Sequence, residues 1–132
     1  MSLKLMRTLI AALSVGCPLA ASAADHTQET LSQVKAAVEQ KKGVLVDVRE
    51  KPEWNSGHIE GAIPLPISTV VDGLTQEELS VLPKSKILYV HCVVGKRALT
   101  VGSTLEKLGY QVKVLKPGYR ELLAEGFPKA EQ

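Results

Sequence analysis

Cysteine and aromatic residues are scarce in this 132-residue chain. It contains two cysteines, and aromatic side chains make up 4% of the sequence. The hydrophobic fraction is nevertheless 45%, so the core has to be built mainly from Val, Leu, Ile and Ala. A chain of this length provides for one domain and excludes a large multidomain enzyme.

The apolar run near the N-terminus is too short for a membrane-spanning helix, which needs about 20 residues. A basic start with Lys4 and Arg7 precedes this run over residues 9–19, and the small residues Ala21-Ser22-Ala23 follow it. These three features are typical of a secretory signal peptide. We therefore predict a signal peptide over residues 1–23, a mature domain over residues 24–132, and a periplasmic or secreted location.

Cys17 provides a minor alternative, in which the protein is a lipoprotein. The preceding Ser14-Val15-Gly16 resembles a lipoprotein cleavage box, but the usual Leu three residues before the cysteine is missing and Pro18 follows. If Cys17 leaves with the signal peptide, Cys92 is the one cysteine of the mature domain. A single thiol in an exported protein indicates a reactive group or an intermolecular partner, whereas the alternative is an inert buried cysteine.

The predicted mature domain also lacks an excess of charge of either sign. Without Lys4 and Arg7, 14 basic residues balance 14 acidic ones. This balance argues against a nucleic-acid partner and against attachment to a membrane surface. Three scattered histidines and one cysteine do not form a cluster of ligands, so we predict no metal site and no cofactor. His26 is expected in a disordered N-terminus.

Apolar runs typical of buried strands alternate with amphipathic segments typical of helices. Strands are predicted over residues 44–48, 62–65, 86–91 and 112–115, and helices over residues 27–42, 75–82, 97–108 and 119–125. The predicted helix over residues 75–82 begins with Thr75-Gln76-Glu77-Glu78, which resembles a capping box. The alternation predicts an α/β fold, a parallel β-sheet flanked by helices on both faces.

Cys92 directly follows a predicted strand and precedes a predicted helix. Ligands bind at the carboxyl ends of parallel strands, and a helix N-terminus favours the negative charge of a thiolate. Gly95 permits a positive φ, so that successive amides can converge on one point, and Lys96 and Arg97 add positive charge. We predict Cys92 as the nucleophile. The substrate-binding loop is predicted to be Val93, Val94, Gly95, Lys96 and Arg97.

Residues 92–97 (Cys-Val-Val-Gly-Lys-Arg) match the Cys-x-x-Gly-x-Arg active-site loop of rhodanese-like sulfurtransferases. Residues 45–50 and 57–62 resemble the early signature of that family, and residues 114–119 with 126–128 resemble its closing segment. The resemblance extends over residues 31–128, and is to the small exported phage-shock type. Departures are Pro117 where a glycine is usual, Leu122 where Trp is common, and Ala98 where a hydroxyl residue is frequent. The first two are expected to lie away from the loop.

The resemblance implies a thiosulfate sulfurtransferase that forms a persulfide on Cys92 and passes its sulfur to cyanide or a thiol. A persulfide donor fits the loop equally well. The alternative is a rhodanese-like binding or sensing module without turnover. Related phosphatases have five residues between Cys and Arg, whereas four separate Cys92 from Arg97, which argues against phosphatase activity. A thioredoxin-like enzyme needs a second nearby cysteine, which the chain lacks.

Other side chains near the ends of the predicted strands are candidates for the same site. Arg49 is a possible contact for a substrate anion, although an ion pair with a nearby carboxylate such as Glu53 is the favoured role. His91 is expected to be a packing or hydrogen-bonding residue, because its side chain points away from that of Cys92 in an extended strand. Trp54 and Tyr119 are expected to line the entrance.

Overall fold

The computed structural model describes residues 24–131, so the predicted signal peptide and Cys17 lie outside the described part of the chain. In chain order the elements are α1 (Leu31–Glu39), β1 (Gly43–Asp47), α2 (Lys51–Ser56), β2 (Ile63–Pro64), α3 (Ile67–Asp72), α4 (Gln76–Ser80), β3 (Ile87–His91), α5 (Lys96–Lys107), β4 (Gln111–Val114) and α6 (Tyr119–Ala124). Among these residues, no helix is long and apolar enough to cross a membrane.

The four strands form one parallel sheet with the order β2-β1-β3-β4. The last residues of the two central strands, Asp47 and His91, are partners in the register. Because the strands are parallel, their carboxyl ends meet at one edge, and the segment after each strand starts there. The α/β fold with a parallel sheet is confirmed.

Two apolar cores lie on opposite faces of the sheet, because successive strand side chains alternate between the faces. One core joins Val46 and Val90 to buried residues of α3 and α5. The other joins Leu45 and Tyr89 to Val34 of α1 and to α6. The helices therefore flank both faces, as the sequence predicts.

The largest boundary difference is at the first helix, which begins at Leu31 instead of residue 27. The Thr30 hydroxyl accepts a hydrogen bond from Gln33 N, and the Gln33 side chain accepts one from Thr30 N, so that the chain is capped at this point. The residues before Thr30 pair with β4 instead: Thr27 N donates to the Val114 carbonyl at 2.8 Å.

Two short helices, α2 and α3, are absent from the sequence prediction. Each has six residues, which is too short for a repeated apolar pattern. Helix α2 begins where the Glu53 carboxylate accepts a hydrogen bond from Glu50 N at 2.8 Å. The predicted capping box at Thr75 is confirmed, since Thr75 and Glu78 make the reciprocal pair of hydrogen bonds at the start of α4.

Candidate active site around Cys92

Cys92 lies between the end of β3 and the start of α5, at the carboxyl edge of the sheet. Its side chain is 1% exposed, and Gly95 N donates a hydrogen bond to its Sγ at 3.2 Å. Gly95 has φ +86° and stands immediately before α5, so the predicted positive φ is confirmed. The loop of residues 92–95 thus folds back and directs a backbone N–H at the sulfur.

The closing segment packs directly on this loop, so the expectation that the Pro117-Gly118 departure lies away from it is wrong. Tyr119 N donates to the Cys92 carbonyl at 3.2 Å. A Cβ built on Gly118 would lie 2.2 Å from the carbonyl oxygen of Val93. The close approach requires glycine at position 118. Leu122, by contrast, is fully buried in the core on the α1 and α6 face.

Arg97 pairs with Glu53 of α2. Its two terminal nitrogens donate to the two carboxylate oxygens at 2.7 and 3.0 Å. The hydrogen bond from Arg97 lowers the pKa of Glu53, and the bond to Glu53 raises the pKa of Arg97 further, with a smaller contribution from attraction to Cys92. The positive charge predicted beside the thiol is present but is shared with a carboxylate.

Arg49 forms the expected ion pair with a nearby carboxylate, but its partner is Asp47 and not Glu53. The Arg49 side chain is almost fully buried, with Nη2 at 2.8 Å from Asp47 Oδ2 and 2.7 Å from the Gly57 carbonyl oxygen. Its guanidinium also lies 4.3 Å from the centre of the Tyr119 ring. These contacts hold the wall of the site, and a contact of Arg49 with a substrate anion stays a prediction.

A cleft of about 620 Å³ opens beside the loop. Val93 and Val94 form part of its wall and are 45% and 64% exposed, whereas Cys92, which precedes them, is buried. The other lining residues are Arg49, Glu53, Ser56, Tyr119, Arg120 and Glu121. The cleft therefore combines an apolar rim from the loop with charged side chains from α2 and α6.

Tyr119 lines this cleft as predicted, but Trp54 lines a separate pocket and stacks on His58 with ring centroids 3.6 Å apart. Arg120 is an exposed cation of the cleft that sequence reasoning missed. It belongs to no motif of the loop. The one signal that could have found it is its position next to Tyr119, in the segment that resembles the family's closing segment.

His91 is fully buried behind the site. Burial lowers its pKa to about 4, although the nearby Asp47, with Oδ2 4.0 Å from Nε2, acts in the opposite direction. The imidazole is therefore neutral at neutral pH. Within residues 24–131, Gly95 N donates a hydrogen bond to Cys92 Sγ, whereas neither ring nitrogen of His91 forms a hydrogen bond, in agreement with a packing role for His91.

His26 is ordered and touches the loop, so the expected disorder at this residue is wrong. Its Nε2 lies 3.1 Å from the Gly95 carbonyl oxygen. The edge of β4 orders the segment, because His26 forms a parallel bridge with Val114. Across residues 24–131, no three His, Cys, Asp or Glu side chains group in a way that could hold a metal ion.

Comparison with known proteins gives partial matches to sulfurtransferases. The chain is 37% identical over 79 residues to "Putative thiosulfate sulfurtransferase, mitochondrial" of Schizosaccharomyces pombe, covering 54% of this chain and 56% of that protein. It is 33% identical over 70 residues to "Probable adenylyltransferase/sulfurtransferase MoeZ" of Mycobacterium tuberculosis, covering 53% of this chain and 17% of that protein. The chain thus spans about half or less of the length of these curated relatives.

Solved structures share the fold over most of the chain. The rhodanese-like domain of the Anabaena protein Alr3790 superposes with a TM-score of 0.65 at 28% identity, covering 82% of this chain and 81% of that one. The human single-domain sulfurtransferase TSTD1 superposes with a TM-score of 0.63 at 24% identity, covering 79% and 97%, and supports the fold alone. The family model described as the rhodanese-like domain matches residues 30–125. The chain belongs to the rhodanese-like domain family.

Proposed function

We propose that this protein is a sulfurtransferase that accepts sulfane sulfur from thiosulfate, or from a persulfide donor, on Cys92 and passes it to a thiol. The observation that carries the proposal is the position of Cys92 between β3 and α5, with Gly95 N donating to its Sγ at 3.2 Å. A donor aimed at the sulfur stabilises negative charge there, both on the thiolate and on a persulfide in its place. Sulfurtransferase names among the relatives support the same chemistry.

In the first step, the Cys92 thiolate attacks the outer sulfur of thiosulfate. A new sulfur–sulfur bond forms on Cys92, and the original bond of thiosulfate breaks with its electron pair leaving on sulfite. No proton moves in this step, so it requires no general base beside Cys92. The neutral, buried state of His91 is consistent with a step that uses no general base.

In the second step, a nucleophilic acceptor attacks the outer sulfur of the persulfide and the Cys92 thiolate leaves. A thiol acceptor becomes a persulfide, and cyanide, the acceptor of the usual assay, becomes thiocyanate. The covalent intermediate divides one difficult transfer into two easier ones. Val93 and Val94 form the apolar part of the rim that an acceptor crosses.

Intact mass spectrometry tests this cycle directly. The protein is expressed from the full chain with Cys17→Ser, so that Cys92 is its one cysteine whether or not the leader is removed. Incubation with thiosulfate is expected to add one sulfur atom, and cyanide is expected to remove it. Cys92→Ser is expected to take up no sulfur while its circular-dichroism spectrum stays that of the parent protein.

The opposite results have distinct meanings. Cys92 that is reduced and accessible to alkylation but gains no sulfur from thiosulfate or from a persulfide donor would favour the binding or sensing module. Loss of the circular-dichroism spectrum in Cys92→Ser would make Cys92 a structural residue and would overturn the catalytic assignment.

We also propose that the protein works outside the cytoplasm. The proposal rests on the pattern of residues 1–23, with its basic start and its Ala21-Ser22-Ala23 end. The same mass measurement shows whether the signal peptide has been cleaved. Protein recovered from the periplasm of a Gram-negative host is expected to begin at Ala24. Unprocessed protein confined to the cytoplasm would contradict export, and a lipid-bearing N-terminal Cys17, in the chain without Cys17→Ser, would establish the lipoprotein alternative.

A further inference from the structure

The segment that precedes α1 lies along the outer edge of the sheet, next to β4. Thr27 N donates to the Val114 carbonyl at 2.8 Å, and His26 forms a parallel bridge with Val114. Ala24 N donates to the Ser103 hydroxyl at 3.2 Å, which attaches the start of the segment to α5. These backbone contacts place the His26 side chain beside the active-site loop.

His26 contacts the loop at the residue whose N–H points to the sulfur. Its Nε2 lies 3.1 Å from the Gly95 carbonyl oxygen. Because a carbonyl only accepts, Nε2 carries the hydrogen in this contact, which both the Nε2–H tautomer and the imidazolium allow. A Cβ at Gly95 would lie 2.6 Å from Nε2, so the close contact also depends on glycine at position 95.

The Gly95 carbonyl and the Gly95 N–H flank one α-carbon, and the N–H donates to Cys92 Sγ at 3.2 Å. The peptide bond after Gly95 is planar and trans, so a hydrogen bond that holds the carbonyl also fixes the direction of the Lys96 N–H. The same carbonyl accepts from Leu99 N at 3.2 Å in the first turn of α5. Gly95 itself has φ +86° and no side chain of its own to hold it.

We propose that His26 is a positioning residue of the active site, whose hydrogen bond to the Gly95 carbonyl holds Gly95 in the conformation that directs its N–H at the Cys92 sulfur. The inference rests on the proposed function, because it assigns His26 a part in stabilising the reacting thiolate. His26 does not touch Sγ or the substrate cleft, so its effect passes through Gly95.

The test measures the rate at which iodoacetamide alkylates Cys92 across a range of pH, in the full chain with Cys17→Ser. His26→Ala is expected to slow alkylation at neutral pH by about tenfold, the effect of one lost hydrogen bond of ordinary strength. The midpoint of the rate profile is expected to move to higher pH, because the thiolate has lost an aligned donor. A purely structural role would lower thermal stability without moving that midpoint.

Two further variants serve as controls. In His26→Gln the side-chain amide can donate from about the position of Nε2, so most of the rate and the midpoint are expected to return. Gln28→Ala removes an exposed side chain from the same segment and is expected to react like the parent protein. The rate of sulfur loading from thiosulfate is expected to follow the same order among the variants.

Three results would overturn the inference: an unchanged profile in His26→Ala, no recovery in His26→Gln, or an equal loss in Gln28→Ala. Alkylation needs no sulfur donor, so the two proposals fail separately. If the parent protein is alkylated but takes up no sulfur, the proposed function fails and the role of His26 in thiol reactivity stands. If Cys92 resists alkylation at every pH, the nucleophile required by both is missing.

Discussion

The charge beside Cys92 is set by a pair of side chains and not by Arg97 alone. Both terminal nitrogens of Arg97 bind the Glu53 carboxylate, and each member of the pair is about one-third exposed. The hydrogen bond to Glu53 is the main cause of the raised pKa of Arg97, and attraction to Cys92 contributes less. Removal of Arg97 therefore has two consequences: it takes away a cation and leaves an uncompensated anion at the cleft.

Arg97→Ala is expected to lower kcat/KM for thiosulfate by about tenfold or more, because a charge-assisted interaction is lost and Glu53 then repels an anionic donor. The double variant Arg97→Ala, Glu53→Gln is expected to recover part of that loss, since the repelling carboxylate is gone. Steady-state kinetics with thiosulfate measure both effects, and melting curves check the fold. Unchanged kinetics in Arg97→Ala would refute a role of this residue in anion binding.

The residues of the loop could be predicted from the sequence, whereas their partners could not. Cys92 and Gly95 are recognisable because a strand, a tight turn and a helix follow one another within a few residues. The partner of Arg97, by contrast, is 44 positions away on a helix with no sequence pattern. For Arg49 the sequence predicts an ion pair with a nearby carboxylate such as Glu53, and the structure shows the partner to be Asp47, two residues before it.

At the scale of secondary-structure elements, the loop after β3 is held by the residues at the start of α6. Tyr119 N binds the Cys92 carbonyl, and the Gly118 α-carbon lies against the carbonyls of Cys92 and Val93. Gly118 has φ −112°, which any residue can adopt, so contact alone requires glycine there. Pro117 precedes this contact, at a position where the sequence resemblance places a glycine in related proteins.

Gly118→Ala is expected to displace the loop, because its Cβ would lie 2.2 Å from the Val93 carbonyl oxygen and 2.6 Å from that of Cys92. We expect a loss of sulfur loading onto Cys92 together with a fall of about 1–3 kcal/mol in the free energy of unfolding, as is usual for overpacking. Denaturant titration and timed mass spectra measure the two quantities.

Pro117→Gly is the matched control at the neighbouring position. It is expected to keep the rate of sulfur loading and to destabilise the fold by less than about 1 kcal/mol, through the greater freedom of the unfolded chain. If Pro117→Gly and Gly118→Ala changed the rate of sulfur loading and the free energy of unfolding to the same extent, the segment would matter for stability and not for the position of the loop.

Element types were predictable to the extent that each element is long and periodic. Helix α5 and strands β1 and β3 agree with the apolar patterns to within one residue at each end. Helix α1 begins later than predicted because the chain before Thr30 is taken up by β4, a contact with a distant segment that local periodicity does not contain. The helices α2 and α3 are too short to show a period at all.

At the scale of the whole molecule, the parallel sheet follows from the alternation of strands and helices, because parallel neighbours need a crossover between them. The order β2-β1-β3-β4 brings Asp47 and His91 together at the carboxyl edge. His91 is consequently buried among the central strands with a carboxylate beside it. Its placement affects the stability of the entire fold, since its charge state differs between the folded and unfolded chain.

The free energy of unfolding is expected to fall as pH decreases from about 6.5 to about 4. Burial lowers the pKa of His91 from 6.5 to about 4, so in this window the unfolded chain binds a proton that the folded chain does not. Each pH unit within the window removes at most about 1.4 kcal/mol through this group. Above about pH 7, His91 is neutral in both states and contributes no slope.

His91→Leu removes the titrating group and places an apolar side chain in the same buried position. Denaturant titrations at several pH values are expected to give a shallower slope between pH 4 and 6.5 for this variant than for the parent protein, with a constant difference above about pH 7. The comparison uses slopes, so any uniform loss of stability from repacking cancels. Identical slopes would mean that His91 takes up a proton in the folded protein as readily as in the unfolded chain. That result would contradict the assignment of His91 as a buried, neutral imidazole behind Cys92.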